Sequence, residues 1–240
     1  ILQANLKFFH LLHPADSISI QATHAKRKIK PSLSIGTFFS SLKNSNKAFK
    51  TIVVTSSISK EGKSTISANL AATMAEIGRK VLLVDANMHH PIQHQIWRLS
   101  NTSGLSNILS GQAGFEVIEK SDVANLDILT AGVIPPKPIA LLDSPRMALL
   151  IDYFAARYDF VIIDAPAFSH AADALTLSHM SDGVLFVARP GLLNYVSADA
   201  AKELLERSTQ KPLGLVINNW SKEEKFNHSL VSFRKRNLKN

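Results

Sequence analysis

Three residues in a row, Gly62-Lys63-Ser64, carry the clearest chemistry in this chain. They close a loop that follows the β-branched run Ile52-Val53-Val54 and precedes a stretch, Ser64 to Ile77, with apolar residues at helical spacing. A loop so placed turns its backbone N–H groups toward whatever sits over the helix N-terminus, where unpaired donors and the helix dipole favour an anion. Lys63 adds a full charge suited to β- and γ-phosphates, and the Ser64 hydroxyl can complete the shell of Mg²⁺. The loop matches the phosphate-binding pattern G-x-x-x-x-G-K-[ST] except that Ser57 stands at the first glycine. Ser57, Ser59, Lys60, Glu61, Gly62, Lys63, Ser64 and Thr65 are therefore the expected nucleotide-binding residues, with Lys60 equally readable as a solvated turn residue.

Two carboxylates extend the pattern. Val81-Leu82-Leu83-Val84 ends in Asp85, and Phe160-Val161-Ile162-Ile163 ends in Asp164. An acid after a buried strand is often a helix cap or turn residue. Two of them beside a phosphate loop fit a divalent cation better, because Mg²⁺ takes one or two carboxylates together with water and phosphate oxygens. Asp164 is assigned to the water shell of Mg²⁺, and Asp85 to a place beside the γ-phosphate, as metal ligand or as base for an incoming hydroxyl. The metal set is Ser64, Asp85 and Asp164, and the catalytic set Lys63, Asp85 and Asp164. His89, His90 and His94 also suggest a metal site, which is disfavoured because Pro91 starts a new helix between them.

These residues need a scaffold that brings distant segments to one edge. From Thr51 the chain alternates strand and helix as in a parallel sheet covered on both faces. Strands are expected at Thr51–Ser56, Lys80–Asp85, Leu126–Thr130, Phe160–Asp164, Val184–Ala188 and Leu213–Asn218. Helices are expected near Ser64–Ile77, Ile92–Leu99, Leu105–Leu109, Ser144–Arg157, Ala171–His179 and Ser197–Ser208. Loops after parallel strands open on one edge, so Gly62–Ser64, Asp85–Asn87 and Asp164–Pro166 converge there. The fold class is α/β, a doubly wound, mostly parallel sheet of the P-loop NTPase kind.

Composition sets the outer bounds. The 240 residues are 45% hydrophobic and 19% charged, as in a globular domain, with no apolar run near the roughly 18 residues of a membrane span. The absence of cysteine excludes disulfides and thiolate metal sites and fits a cytoplasmic setting. The net charge of +8 divides into +7 over residues 1–50, −3 over 51–220 and +4 over 221–240. An acidic centre with basic flanks argues against nucleic acid and suits either an anionic membrane surface or solvated tails. Ile1 to Leu12 reads as a short amphipathic helix, residues 10–48 as a basic linker or insertion, and 221–240 as a flexible tail. The expected divisions are thus 1–50, 51–220 and 221–240.

The segments VVTSSISKEGKSTISANLA, VLLVDANMHHP, LTAGVIPPKP and YDFVIIDAPA, in this order, resemble the cytoplasmic P-loop domain of the bacterial protein-tyrosine kinases. The resemblance spans roughly Thr51 to Asn219, and Leu2 to Phe9 is similar to the end of the family's leading helix. It implies a fold related to the partition and septum-site ATPases, ATP and Mg²⁺ as cofactors, and phosphoryl transfer to a protein tyrosine in capsule or exopolysaccharide export. It also implies a homo-oligomer, a membrane chain-length regulator as partner, and a place at the inner face of the plasma membrane. Asn218, after the last strand, is expected to contact adenine.

The chain departs from the family pattern in its second acidic motif and in its C-terminal segment. Asn87 replaces the second acid of the motif that starts at Asp85, His89 and His90 replace arginines, and residues 221–240 hold no tyrosine. The chain's tyrosines are Tyr153, Tyr158 and Tyr195. Two rival readings follow: an ATP-sensing regulator with weakened transfer, and a partition-type ATPase. The latter is disfavoured by Ile58, where those relatives carry a signature lysine.

Overall fold

Five-residue runs such as Val81–Asp85, with every side chain buried, can only be interior strands covered from both sides. The computed structural model describes residues 7–9, 49–168, 171–189, 191–192 and 212–219. In chain order the strands are β1 (Lys7–Phe9), β2 (Thr51–Ser56), β3 (Val81–Asp85), β4 (Glu119–Lys120), β5 (Leu126–Leu129), β6 (Phe160–Asp164), β7 (Gly183–Ala188) and β8 (Pro212–Ile217). The helices are α1 (Lys63–Glu76), α2 (Gln93–Trp97), α3 (Leu105–Ser110), α4 (Pro138–Leu142), α5 (Pro145–Arg157) and α6 (Ala171–His179), with a 3₁₀ turn at Phe115–Val117.

One eight-stranded sheet has the order β1-β8-β7-β2-β6-β3-β5-β4. The six central strands run parallel and only β1 and β4, at the two edges, are antiparallel. From β2 the chain steps over one place to β3, returns to fill the gap with β6, then passes to the other side of β2 for β7 and β8. The reversal beside β2 opens a crevice at the strand C-termini, where ligands of such sheets sit.

Side-chain alternation along β2 sends Ile52 and Val54 to one face and Val53 to the other. The first face receives Ile66, Leu70 and Met74, one per turn of α1. The second receives Met147, Leu150, Ile151 and Phe154 of α5 and Leu177 of α6. Full burial of each such side chain stabilises by ~1.5–3 kcal/mol, so the two layers hold β2 firmly between α1 and α5. Ser144 caps α5, its hydroxyl accepting from the Met147 amide at 3.2 Å, and Pro145 takes the first helical position. Gly78, at φ 84°, ends α1 in the left-handed conformation that glycine adopts without strain.

The N-terminal expectation needs correction. Lys7–Phe9, read as part of a helix, form an antiparallel strand on β8 with Lys7 opposite Ile217 and Phe9 opposite Leu215. An isolated helix of a few turns is marginal, whereas the open edge of β8 offers a row of ready backbone partners. Three elements were not anticipated: β4, two residues long, α4, and the 3₁₀ turn at Phe115–Val117. The expected linker at 10–48, helix at 197–208 and tail at 221–240 lie outside the described residues. No helix among the described residues is long and apolar enough to cross a membrane.

Candidate active site

The phosphate loop is fastened from behind. Within it the Ser56 hydroxyl donates to the Ile58 carbonyl at 2.8 Å. Glu61, fully buried, accepts from the Ile58 amide at 2.9 Å and from the amide of Arg189, just past β7, at 3.1 Å. Burial pushes the Glu61 carboxyl above the usual range, and those amides oppose the shift. Asn218, just past β8, donates to the Glu61 carbonyl at 2.8 Å. Gly62 stands at φ 94°, and a Cβ there would run into the Asn218 amide, so this position demands glycine twice over. Glu61 and Asn218, both read as nucleotide ligands, thus brace the loop against β7 and β8. Ser59, Lys60 and Thr65 are exposed on its outer side, and Ser57 is buried with an unpartnered hydroxyl.

Beyond Gly62, α1 starts with Lys63 and Ser64, both buried. No side chain caps this helix and its first turn contains no acid, so its first amides and positive end face the crevice unneutralised.

Register brings the acids to the same place. Asp85 and Asp164 are paired residues at the ends of β3 and β6, and both are fully buried. Asp85 accepts from three backbone amides: Asn87 at 3.1 Å on one oxygen, Ile92 at 3.0 Å and Gln93 at 2.9 Å on the other. These bonds curl the loop 86–92 around the carboxylate. Asp164 is held by side chains instead. The Gln93 amide donates to one oxygen at 2.8 Å, and the Ser67 hydroxyl lies 3.4 Å from the other. Burial pushes the Asp85 carboxyl up to about 7, the charge of Asp164 adding to it. Asp164 is also raised by burial, with Lys63, Gln93, Ser64 and Ser67 acting in the opposite direction.

Two adjacent desolvated carboxylates facing one ammonium leave an excess of negative charge. A hard divalent cation with oxygen ligands would relieve it, and the Ser64 hydroxyl stands at the same place. The donor set is all oxygen, and two buried oxygens nearby, Ser57 Oγ and Gln93 Oε1, have no partner. The residues present therefore fit Mg²⁺.

Asn87, which stands where the family motif has its second acid, is engaged within its own turn. Its amide nitrogen donates to the His90 carbonyl at 2.9 Å and its oxygen faces the His90 amide at 3.4 Å, so both ends close a turn. His89 Nε2 lies 2.6 Å from the buried carboxylate of Asp173 in the first turn of α6, tying the loop after β3 to the segment after β6. Neither Gln93 nor Ser67 stood out in the sequence.

An AAA domain profile matches residues 49–207. The chain is 39% identical over 174 residues to the tyrosine-protein kinase YwqD of Bacillus subtilis, covering 72% of this chain and 73% of that one. The putative tyrosine-protein kinase CapB of Staphylococcus aureus is 36% identical over 176 residues, with 73% and 77% covered. The chain belongs to the bacterial tyrosine-protein kinase family. Among solved structures, the chimerical protein CapA2B2 superposes with a TM-score of 0.73 at 38% identity, covering 75% of this chain and 80% of that one. The kinase domain of Escherichia coli tyrosine kinase ETK gives 0.71 at 29%, covering 79% and 73%. The septum site-determining protein MinD of Pyrococcus horikoshii, at 24% identity and a TM-score of 0.59 over 69% of this chain and 68% of that one, shares the fold.

Proposed function

We propose that this chain is an ATP-dependent tyrosine kinase domain that transfers a phosphoryl group to a tyrosine hydroxyl on another chain, in the control of capsule or exopolysaccharide export. The observation that supports it most is the paired register of Asp85 and Asp164 at the strand ends beside Lys63 and Ser64. Lys63 and the first amides of α1 hold the β- and γ-phosphates, and the Ser64 hydroxyl and Asp164 hold Mg²⁺. When bound, the cation neutralises charge on the transferring phosphoryl group, and most of the remaining catalysis is positioning. Asp85 is fully buried and bonded to three amides, so an incoming tyrosine ring does not reach it while the loop 86–92 is closed. Its assigned role is therefore to accept from metal-bound water and to shape that loop.

The acceptor belongs to another molecule or to residues outside the described set. Tyr153 lies in the last turns of α5 and Tyr158 just after it, toward the strand-start rim, and the length of β6 from Phe160 to Asp164, roughly 13 Å, separates that rim from the acids. The Tyr158 hydroxyl donates to Asp127 at 2.8 Å, and Tyr153 stacks between Phe115 and Arg157. A partner that anchors the domain at the inner face of the plasma membrane, a chain-length regulator, and assembly into homo-oligomers complete the proposal.

The test is incubation with γ-labelled MgATP and a tyrosine-bearing segment of such a regulator, followed by phosphosite mapping. Phosphotyrosine on the added segment is the expected result. The second reading, an ATP-sensing partner without transfer, draws on the Asn87 side chain being occupied by His90. It is favoured if neither the natural chain nor Asn87→Asp transfers label while both bind ATP.

A further inference from the structure

Gln93 is a buried amide with one atom left over. It opens α2 with no exposed surface. Its nitrogen has two hydrogens and uses both, one toward the Ser64 carbonyl at 3.0 Å and one toward Asp164 at 2.8 Å. Both neighbours are acceptors, so the orientation is settled: turning the amide over would point its oxygen at a carbonyl and a carboxylate. Gln93 Oε1 is consequently the atom without a partner, buried beside the phosphate loop and Asp164. Buried acceptors are normally satisfied, and one left open next to a ligand crevice marks a place for a donor.

The donor can be identified by its chemistry. Mg²⁺ sheds water reluctantly and keeps several molecules in its shell, each of which must donate hydrogen bonds outward. Beyond Asp85, the loop after β3 offers few side-chain acceptors for them, because the Asn87 side chain is occupied by His90. We infer that Gln93 is a positioning residue for the metal: its nitrogen aligns Asp164 with the Ser64 backbone while its oxygen accepts from a magnesium-bound water. This rests on the metal-nucleotide reading above. A neutral amide thus serves this chain where an acid in place of Asn87 would supply charge.

Titration calorimetry of the full chain with ADP, once in EDTA and once with Mg²⁺ titrated into the ADP-loaded protein, tests it. Gln93→Leu is expected to weaken the Mg²⁺ titration about 10-fold or more while leaving ADP affinity in EDTA unchanged. Gln93→Asn, which keeps the amide but draws it back by one methylene from Asp164 and Ser64, is expected to weaken the Mg²⁺ titration as well, by a smaller factor than Gln93→Leu. A natural Mg²⁺ affinity in Gln93→Leu, or an equal loss with and without metal, would overturn the inference, since the latter marks a merely structural residue. If circular dichroism shows that Gln93→Leu does not fold, Gln93→Asn decides, and an unchanged Mg²⁺ midpoint there is the adverse result. A natural chain that binds neither ADP nor Mg²⁺·ADP would instead sink the nucleotide site itself, and the inference with it.

Discussion

Aspartates stand at both rims of the central sheet, and they live in opposite circumstances. At the strand starts, Asp182 precedes β7 and accepts from the Lys50 amide, the Thr51 amide and the Thr51 hydroxyl at 2.9–3.0 Å. Asp159, before β6, accepts from the Lys80 amide at 2.9 Å, and Asp127, near the start of β5, takes the Tyr158 hydroxyl and the Lys120 ammonium. Each of these is partly open to water; Asp182 and Asp159 finish the backbone of a neighbouring strand, and Asp127 ties side chains across the rim. At the strand ends, Asp85 and Asp164 are fully buried side by side and raised by that burial. The difference shows that the same residue type closes the sheet at one rim and stores unbalanced charge at the other, and only the second has a reason to bind a cation.

The contrast can be broken most severely at Lys63. Lys63→Met removes the single ammonium that opposes the paired acids, and is expected to abolish both MgADP binding by calorimetry and phosphotyrosine formation with labelled ATP. A subtler probe is pH. Because Asp85 holds its proton up to about 7 in the folded state and only to about 4 when unfolded, the folded form binds more protons within that window. Stability in EDTA should therefore fall as pH rises from about 4 to about 7, the deficit being complete above it, and Mg²⁺·ADP should flatten the slope. Urea midpoints at several pH values, with and without ligand, measure both arms. At the other rim, Asp182→Ala leaves three donors short of an acceptor and should cost ~2 kcal/mol of unfolding free energy with unchanged ADP affinity. Tyr158→Phe should be the mildest, about 1 kcal/mol from one lost hydrogen bond, again without effect on nucleotide. A change of nucleotide affinity in either of the last two would erase the distinction between the rims.

Much of the scaffold was legible because its strands are continuous apolar runs. Thr51–Ser56 and Phe160–Asp164 coincide with the expected spans residue for residue. The pieces that escaped are those whose structure is imposed by neighbours. Lys7–Phe9 become a strand only because β8 presents an open edge, and Glu119–Lys120 because β5 does. At the site, Lys63, Ser64, Asp85 and Asp164 announced themselves by position relative to strand and loop. Glu61 and Asn218 also lay at suggestive positions, yet their partners are backbone groups of the loop and of Arg189, a relation no linear spacing encodes. Gln93 left no trace, since a glutamine after Pro91-Ile92 looks like any polar residue at a helix start, and its value comes from a fold that sets it against Ser64 and Asp164.

The seam between β1 and β8 lies two strands from β2, yet it bears directly on the loop that β2 feeds. β8 runs straight into Asn218, whose amide props the turn at Glu61 and Gly62. Lys7–Phe9 thus act as a selvedge: stitched along the outermost parallel strand, they keep its far end from fraying beneath the glycine on which the phosphate cradle pivots.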